Sequence, residues 1–239
     1  PVAEIDIAHR LARADASHWL GTDSLGRDIA AQLMAGTQSS LWVGLLAVSI
    51  GVLVGASLGL LAAARPGWIE EAIMRGADFA FAFPALLLAI MLSAIYGPGL
   101  LISSIAIGIF NIPVFARVTR AAAQAVWTRE YILAARAAGL GDASITWHHV
   151  LPNVAHVLIV QSTIQFAIAI LAEAALSYLG LGTTAPQASW GRMLNEAQAQ
   201  MFQAPWLAIY PGLAIALSVL GFNLMGDGLR DAFDPRGDR

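Results

Sequence analysis

Long charge-free runs alternate along this chain with shorter stretches that carry its arginines. A helix crossing a hydrocarbon core of ~30 Å needs about 20 apolar residues. That measure picks out five segments, 37–64, 79–96, 100–116, 154–172 and 205–226, within a single transmembrane domain over 1–239. The first, TQSSLWVGLLAVSIGVLVGASLGLLAAA, places Gly44, Gly51, Gly55 and Gly59 on a small-residue stripe suited to close packing by another helix. Phe79 to Ala116 runs 38 residues without a charge, too long for one ordinary span, and YGPG at 96–99 divides it as a tight hairpin. The pattern predicts an all-α, polytopic transmembrane helical bundle.

The longest polar interval, 117–153, contains YILAARAAGLGDASITWHHVLPN at 131–153. Its alanines, Ala134 and Ala135 among them, favour a helix that carries Arg136 and stops at Gly139, as glycine does at a C-cap of positive φ. A second short helix, ASITWHHV, is expected to be capped by Asp142 or Ser144 and ended by Pro152, after Leu151. Two short helices meeting at a glycine elbow, with Leu140, Ile145 and Trp147 available for burial, predict a docking partner.

Composition agrees with a membrane setting. The chain is 58% hydrophobic and 12% charged, with mean hydropathy +0.67, against about 25% charged for soluble domains. All 13 basic residues are arginine, so no lysine is present for a P-loop and ATP is not hydrolysed here by that route. A net charge of −3 argues against nucleic acid. The absence of cysteine removes disulfides, thiolate nucleophiles and cysteine-held metals. Cytoplasmic loops are arginine-rich, and placing 65–78, 117–153 and the C-terminal tail inside assigns nine arginines to that side and four, Arg10, Arg13, Arg27 and Arg192, outside. Pro1 is then external, and a sixth, N-terminal span is expected upstream.

Here the residues meet a resemblance. AARAAG followed by HHVLP resembles the cytoplasmic loop of ABC-importer permeases, in which Glu-Ala-Ala, three residues and Gly precede Ile-x-Leu-Pro. Ala134, Ala135, Gly139, Leu151 and Pro152 fall at matching positions, whereas Leu133 stands where the family has Glu and His149 where it has Ile. HWLGTDSLGRDI at 18–29, FAFP at 81–84, EAALSYLGLG at 173–182, SWGRML at 189–194 and GDGLRDAFDPR at 226–236 are similar to the C-type permease subunit of dipeptide, oligopeptide, nickel and glutathione importers. The resemblance implies a type I ABC importer permease fold in a bacterial inner membrane. It also implies a homologous second permease subunit, two cytoplasmic ATPase subunits that bind ATP and magnesium in place of any cofactor in this chain, and a periplasmic binding protein. Cargo is expected to be a di- or oligopeptide, with nickel or glutathione as alternatives.

The remaining candidates are sparser. His148 and His149 point about 100° apart on a helix, and no further ligand lies nearby to make a metal site. His156, Gln161 and Gln165 recur on one helical face, where they either line a translocation path or hydrogen-bond between helices. Glu173 is a carboxylate among apolar residues, open to a substrate or gate role or a structural one, at an external helix end where it could reach water. GTDSLGRD reads as an external strap in which Asp23, Arg27 and Asp28 pair locally. No nucleophile–base pair or His-Glu-x-x-His motif supports an intramembrane hydrolase. Hydropathy alone leaves a secondary transporter or channel open.

Overall fold

In the computed structural model, which describes residues 5–233, every regular element among those residues is helical. The one departure is an isolated antiparallel bridge between Thr22 and Asp28. The long helices are α1 (Ile29–Ala64), α4 (Leu100–Trp127), α6 (Asp142–Tyr178) and α8 (Trp206–Phe233), each long and apolar enough to cross a membrane. Between them lie α2 (Trp68–Ala82), α3 (Ala85–Tyr96), α5 (Glu130–Ala137) and α7 (Trp190–Ala197).

Local chemistry explains where these helices differ from the charge-free runs. α1 starts eight residues before residue 37 because the Asp28 carboxylate accepts the Ala31 N–H at 2.9 Å and caps the first turn. The run 79–96 is not one helix: Phe83 is extended (φ −90, ψ 121) ahead of Pro84, whose ring disfavours helical geometry in the preceding residue. A second correction concerns Pro152, which does not end the helix before it. α6 runs unbroken from Asp142, and a wider i→i+5 turn at Thr146–Val150 directly precedes the proline, with the Leu151 N–H donating to the Thr146 carbonyl. That wider turn relieves the crowding a proline imposes on the preceding turn of an α-helix. α1 holds a similar turn at Gly51–Ala56.

The chain forms two compact units. The first comprises, among the described residues, 5–45, 86–106 and 167–221. In it the Trp190 indole N–H donates to the Leu33 carbonyl at 3.1 Å, Ser93 donates to the Leu181 carbonyl at 3.1 Å, and the Asn195 amide donates to the Tyr178 carbonyl at 2.7 Å. The second comprises, among the described residues, 46–85, 107–166 and 222–233. Its core gathers Phe115, Ala123, Trp127, Ile132, Ile145, Val150 and Val154. Gly55 and Gly59 of α1 lie so close to α4 that a Cβ on either would stand 2.4 Å from the Ile112 carbonyl oxygen or 2.5 Å from that of Ala116. The glycine stripe thus brings two backbones together where any side chain would separate them. Outward-facing residues of the long helices, including Leu45, Leu53, Ile159, Leu217 and Leu224, are exposed, and so much apolar surface calls for lipid or protein around it.

Candidate functional site

The elbow of the second unit is built from a specific helix ending. Ala138 leaves the helix at ψ 0, and Gly139 takes φ +88. The Gly139 N–H donates to the Arg136 carbonyl at 2.9 Å and the Leu140 N–H to the Ala135 carbonyl at 3.1 Å. This paired closure is the Schellman ending, which requires the left-handed residue that glycine supplies without a steric penalty. A Cβ at Gly139 would meet nothing within 4 Å, so the constraint there is conformational and not one of space.

Both arms of the elbow are anchored from beneath. Ile132 on α5 and Ile145 on α6 are fully buried, and Ala135 and Leu151 pack partly buried against the same cluster. Ala134, Arg136, Gly139, Leu140, Trp147 and Pro152 are exposed, with Trp147 at 67% and Leu140 at 43%. The arrangement separates the expected docking residues into an inward set and an outward set. Ile145 belongs wholly to the core, whereas Trp147 and Leu140 face outward. His149 is half-buried with its ring 6.5 Å from that of Tyr131, and His148 turns away to bond the Ser144 carbonyl at 3.0 Å.

Asp142 does not cap α6. Gly141 occupies the cap with no side-chain bond, and the Asp142 carboxylate instead accepts from Arg136 at 3.2 Å and pairs with Arg65 at 3.4 Å. Arg136 also lies 4.8 Å over the Trp127 ring. Asp142 therefore bridges the far side of the elbow to the end of α1. These ion pairs are substantially exposed, so they orient the knuckle more than they stabilise it. α2 is tied to α4 in the same unit: Arg120 and Gln124 both donate to Glu70, at 2.6 and 2.7 Å, while Arg117 pairs with Asp78 and covers the Phe81 ring at 4.4 Å.

The candidate path residues do not form one group. His156 and Gln161 line a cavity of about 450 Å³ with Arg230, whereas Gln165 is buried elsewhere in the second unit. Glu173 belongs to the first unit and has no exposed surface, which corrects the expectation that it reaches water. Ser177 and Thr183 donate to one of its oxygens, at 2.6 and 3.3 Å, and Ser40 to the other at 3.2 Å. In this form it holds three segments of its unit together.

The strap before α1 carries its own network. Asp23 accepts from Arg27 at 2.7 Å and from Gln32 at 2.8 Å, Arg27 reaches Glu196 at 2.5 Å, and Glu196 pairs with Arg192 at 2.7 Å. Burial by itself would lower the Arg27 guanidinium, but Glu196 and Asp23 outweigh it and hold Arg27 above its ordinary value. Asp28 takes no part in this network, being committed to the α1 cap.

Residues 51–239 match the family described as the inner membrane component of binding-protein-dependent transport systems. This chain belongs to that family. The permease is 45% identical over 234 residues to the dipeptide transport system permease protein DppC of Alkalihalophilus pseudofirmus, covering 98% of this chain and 77% of that one. It is 46% identical over 220 residues to the glutathione transport system permease protein GsiD of Pectobacterium atrosepticum, covering 92% and 73%. Its fold is similar to that of the MetNI methionine ABC transporter in inward-facing form, with TM-score 0.73, 18% identity and coverage of 86% and 98%. An amino acid ABC transporter with histidines matches at TM-score 0.65, 20% identity and coverage of 83% and 92%. At those identities the solved structures speak for the fold alone. The permease is therefore a multi-pass, all-helical subunit of an ABC importer, a transport component and not an enzyme, and a lone secondary transporter or channel is set aside.

Sequence reasoning missed several partners in these sites. Glu70, Asp78 and Arg65 meet residues far away in the chain, which no local pattern announces. Glu196 had a local signal, since it stands four residues after Arg192 on one helix face. Arg230 enters the sequence reading as a cytoplasmic charge and as part of GDGLRDAFDPR, with no ligand role attached to it.

Proposed function

We propose that the permease imports short peptides across a bacterial inner membrane. It would pair with a homologous permease subunit, receive cargo from a periplasmic binding protein, and dock two cytoplasmic ATPase subunits that hold ATP and magnesium. Spans at 37–64, 100–116, 154–172 and 205–226, with α2 and α3 in place of a single 79–96 span, would carry the cargo path, and 117–153 would form the cytoplasmic coupling loop. The observation that carries the docking role is the elbow itself. Leu140 and Trp147 are presented outward on two arms whose undersides are locked into the core by Ile132 and Ile145. A push on such a knuckle is transmitted to the helices beneath it, because a packed core does not yield continuously. Closure of the ATPases on ATP would move the elbow, and the spans would alternate between outward and inward access. No bond is made or broken in this chain.

Peptide cargo is supported by the relatives, one named for dipeptide and one for glutathione transport, both ligands with amide bonds and free carboxylates. The test is ATP-dependent uptake by the reconstituted complex with its binding protein, comparing an unmodified dipeptide, glutathione and Ni²⁺. Dipeptide uptake is the expected result. Uptake of Ni²⁺ alone would replace the peptide reading, and activity of this subunit without any ATPase would overturn the importer reading. Sidedness is read separately: a cysteine at Ala185 is expected to label from outside and one at Ala125 from inside, and labelling of both from one side would reverse the scheme.

A further inference from the structure

An open groove of about 450 Å³ between α6 and α8 of the second unit contains His156 and Gln161, and its His156, Ile164, Arg230 and Phe233 are exposed. Its volume lies in the range of small-molecule sites, about 300–1,000 Å³. It is lined by Val157, Val160, Ile164 and the Phe233 ring together with His156, Gln161 and Arg230. Among the described residues none of these three polar side chains makes a hydrogen bond or ion pair, and the nearest partner of the His156 ring is Phe233, 6.2 Å away. Of the other described arginines of this unit, Arg65, Arg75, Arg117, Arg120 and Arg136 each have a carboxylate within 4.0 Å, whereas Arg129, like Arg230, does not. Asp227 and Asp231 flank Arg230 in sequence, yet neither comes within that distance.

A planar guanidinium with uncommitted donors matches a carboxylate in two-point geometry. The amide of Gln161 and the imidazole of His156 in the same groove add further donors, and its apolar residues suit an aliphatic side chain. We infer that this cavity receives the C-terminal carboxylate of a short peptide at the inner end of the transport path. The inference rests on the peptide-importer reading and deepens it by naming the group recognised and the residue, Arg230, that recognises it.

The chain has no cysteine, so Val160→Cys places on the cavity wall a thiol unique to this subunit. Its alkylation by N-ethylmaleimide is followed by mass on this chain in the assembled, ATP-free complex, with alanylalanine or alanylalanine amide as the protecting probe. Alanylalanine is expected to slow alkylation and its amide, which lacks the carboxylate, to leave it unchanged. Adding Arg230→Gln should raise the concentration for half-protection by about tenfold or more, the cost of one charged hydrogen bond, while Arg230→Lys retains part of the effect. Equal protection by the amide, protection that survives Arg230→Gln, or a thiol that cannot be alkylated because another subunit covers it would each overturn the assignment. Dipeptide uptake by the same preparation separates the two levels. Uptake without carboxylate-dependent protection removes the site and leaves the peptide importer standing; no uptake of any dipeptide removes the peptide reading and the site with it.

Discussion

Ile132 and Ile145 sit on opposite arms of the elbow, and both have lost all contact with solvent. The exposed Gly139 between them is thus held from two sides by one cluster that also contains Trp127, Val150 and Val154. Truncating either isoleucine to alanine should cost about 2–5 kcal/mol, the range for a buried aliphatic residue. Because the two share a cluster, the double variant should depart from additivity. Thermal unfolding of the purified complex measures all three, and strict additivity would show that the arms are anchored independently.

Gly139→Val should leave the permease inserted and paired with its homologous subunit while weakening ATPase retention or uncoupling ATP hydrolysis from uptake. The cause is the φ of +88 at an open position, where a side chain costs roughly 1–2 kcal/mol. Gly141, at φ −73 and equally open, provides the control. Gly141→Ala should be silent in the same copurification and uptake measurements, and equal loss in both variants would mean that bulk, not backbone conformation, decides.

Ala134 and Ala135 are adjacent but not equivalent, one exposed and the other packed against the core. Ala134→Glu should keep its melting temperature and lose ATPase binding, by placing an unpaired carboxylate into the docked surface. Ala135→Glu should lower the melting temperature before any partner is added. Calorimetry of the permease pair with and without ATPase distinguishes the two effects.

Glu173→Leu removes the acceptor for three hydroxyls at once. With an unsatisfied buried group costing about 1–3 kcal/mol, the complex should melt well below wild type. Glu173→Gln keeps an acceptor oxygen, and the hydroxyl facing its new N–H can rotate to accept, so its melting temperature should stay close to wild type. If Glu173→Gln assembles and melts normally but transports abnormally, the carboxylate acts on the path as well as on the packing.

A pH effect should arise in the segment before α1. Asp15 accepts the Ser17 hydroxyl at 2.6 Å and the backbone N–H groups of His18 and Ser17 at 2.6 and 2.8 Å. Those bonds, the hydroxyl first, hold its carboxyl at about 2 against an ordinary 3.8. A carboxyl lowered in the folded form contributes order that is complete above 3.8 and lost as pH falls from there through about 2. Hydrogen exchange at Ser17 and His18, corrected for intrinsic rate, should show protection that declines across that window in wild type and is already low, without the decline, in Asp15→Ala, which removes the acceptor.

What could be read from the residues alone follows from what is local. The run of alanines closing on Gly139 announced a helix end, because propensity and positive φ are properties of the residues themselves. The helical fold class was legible in the charge-free runs for the same reason. The break at Pro84 was missed because the run of apolar residues continues across it, and hydropathy does not register a backbone restriction. Asp142 has the chemistry of a cap, but Gly141 takes the cap position and the Asp142 carboxylate meets Arg65 and Arg136, which only the folded chain brings near. The division of the loop into Ile145 inward and Trp147 outward depends on the phase of a widened helical turn, which composition does not encode.

That widened turn at Thr146–Val150 carries a consequence of its own. An i→i+5 turn accommodates one residue beyond the α repeat, and one residue of an α-helix corresponds to about 100° of rotation. The azimuth at which Ile145 and the elbow leave α6 is therefore set by a one-residue surplus upstream of Pro152. Winding the same residues as ordinary α-helix would swing Ile145 about a quarter-turn away from its core, whereas deleting one residue together with the widened turn would leave its azimuth in place. The aim of the knuckle is thus a counting property of the helix, set by a surplus that a hydropathy plot does not register.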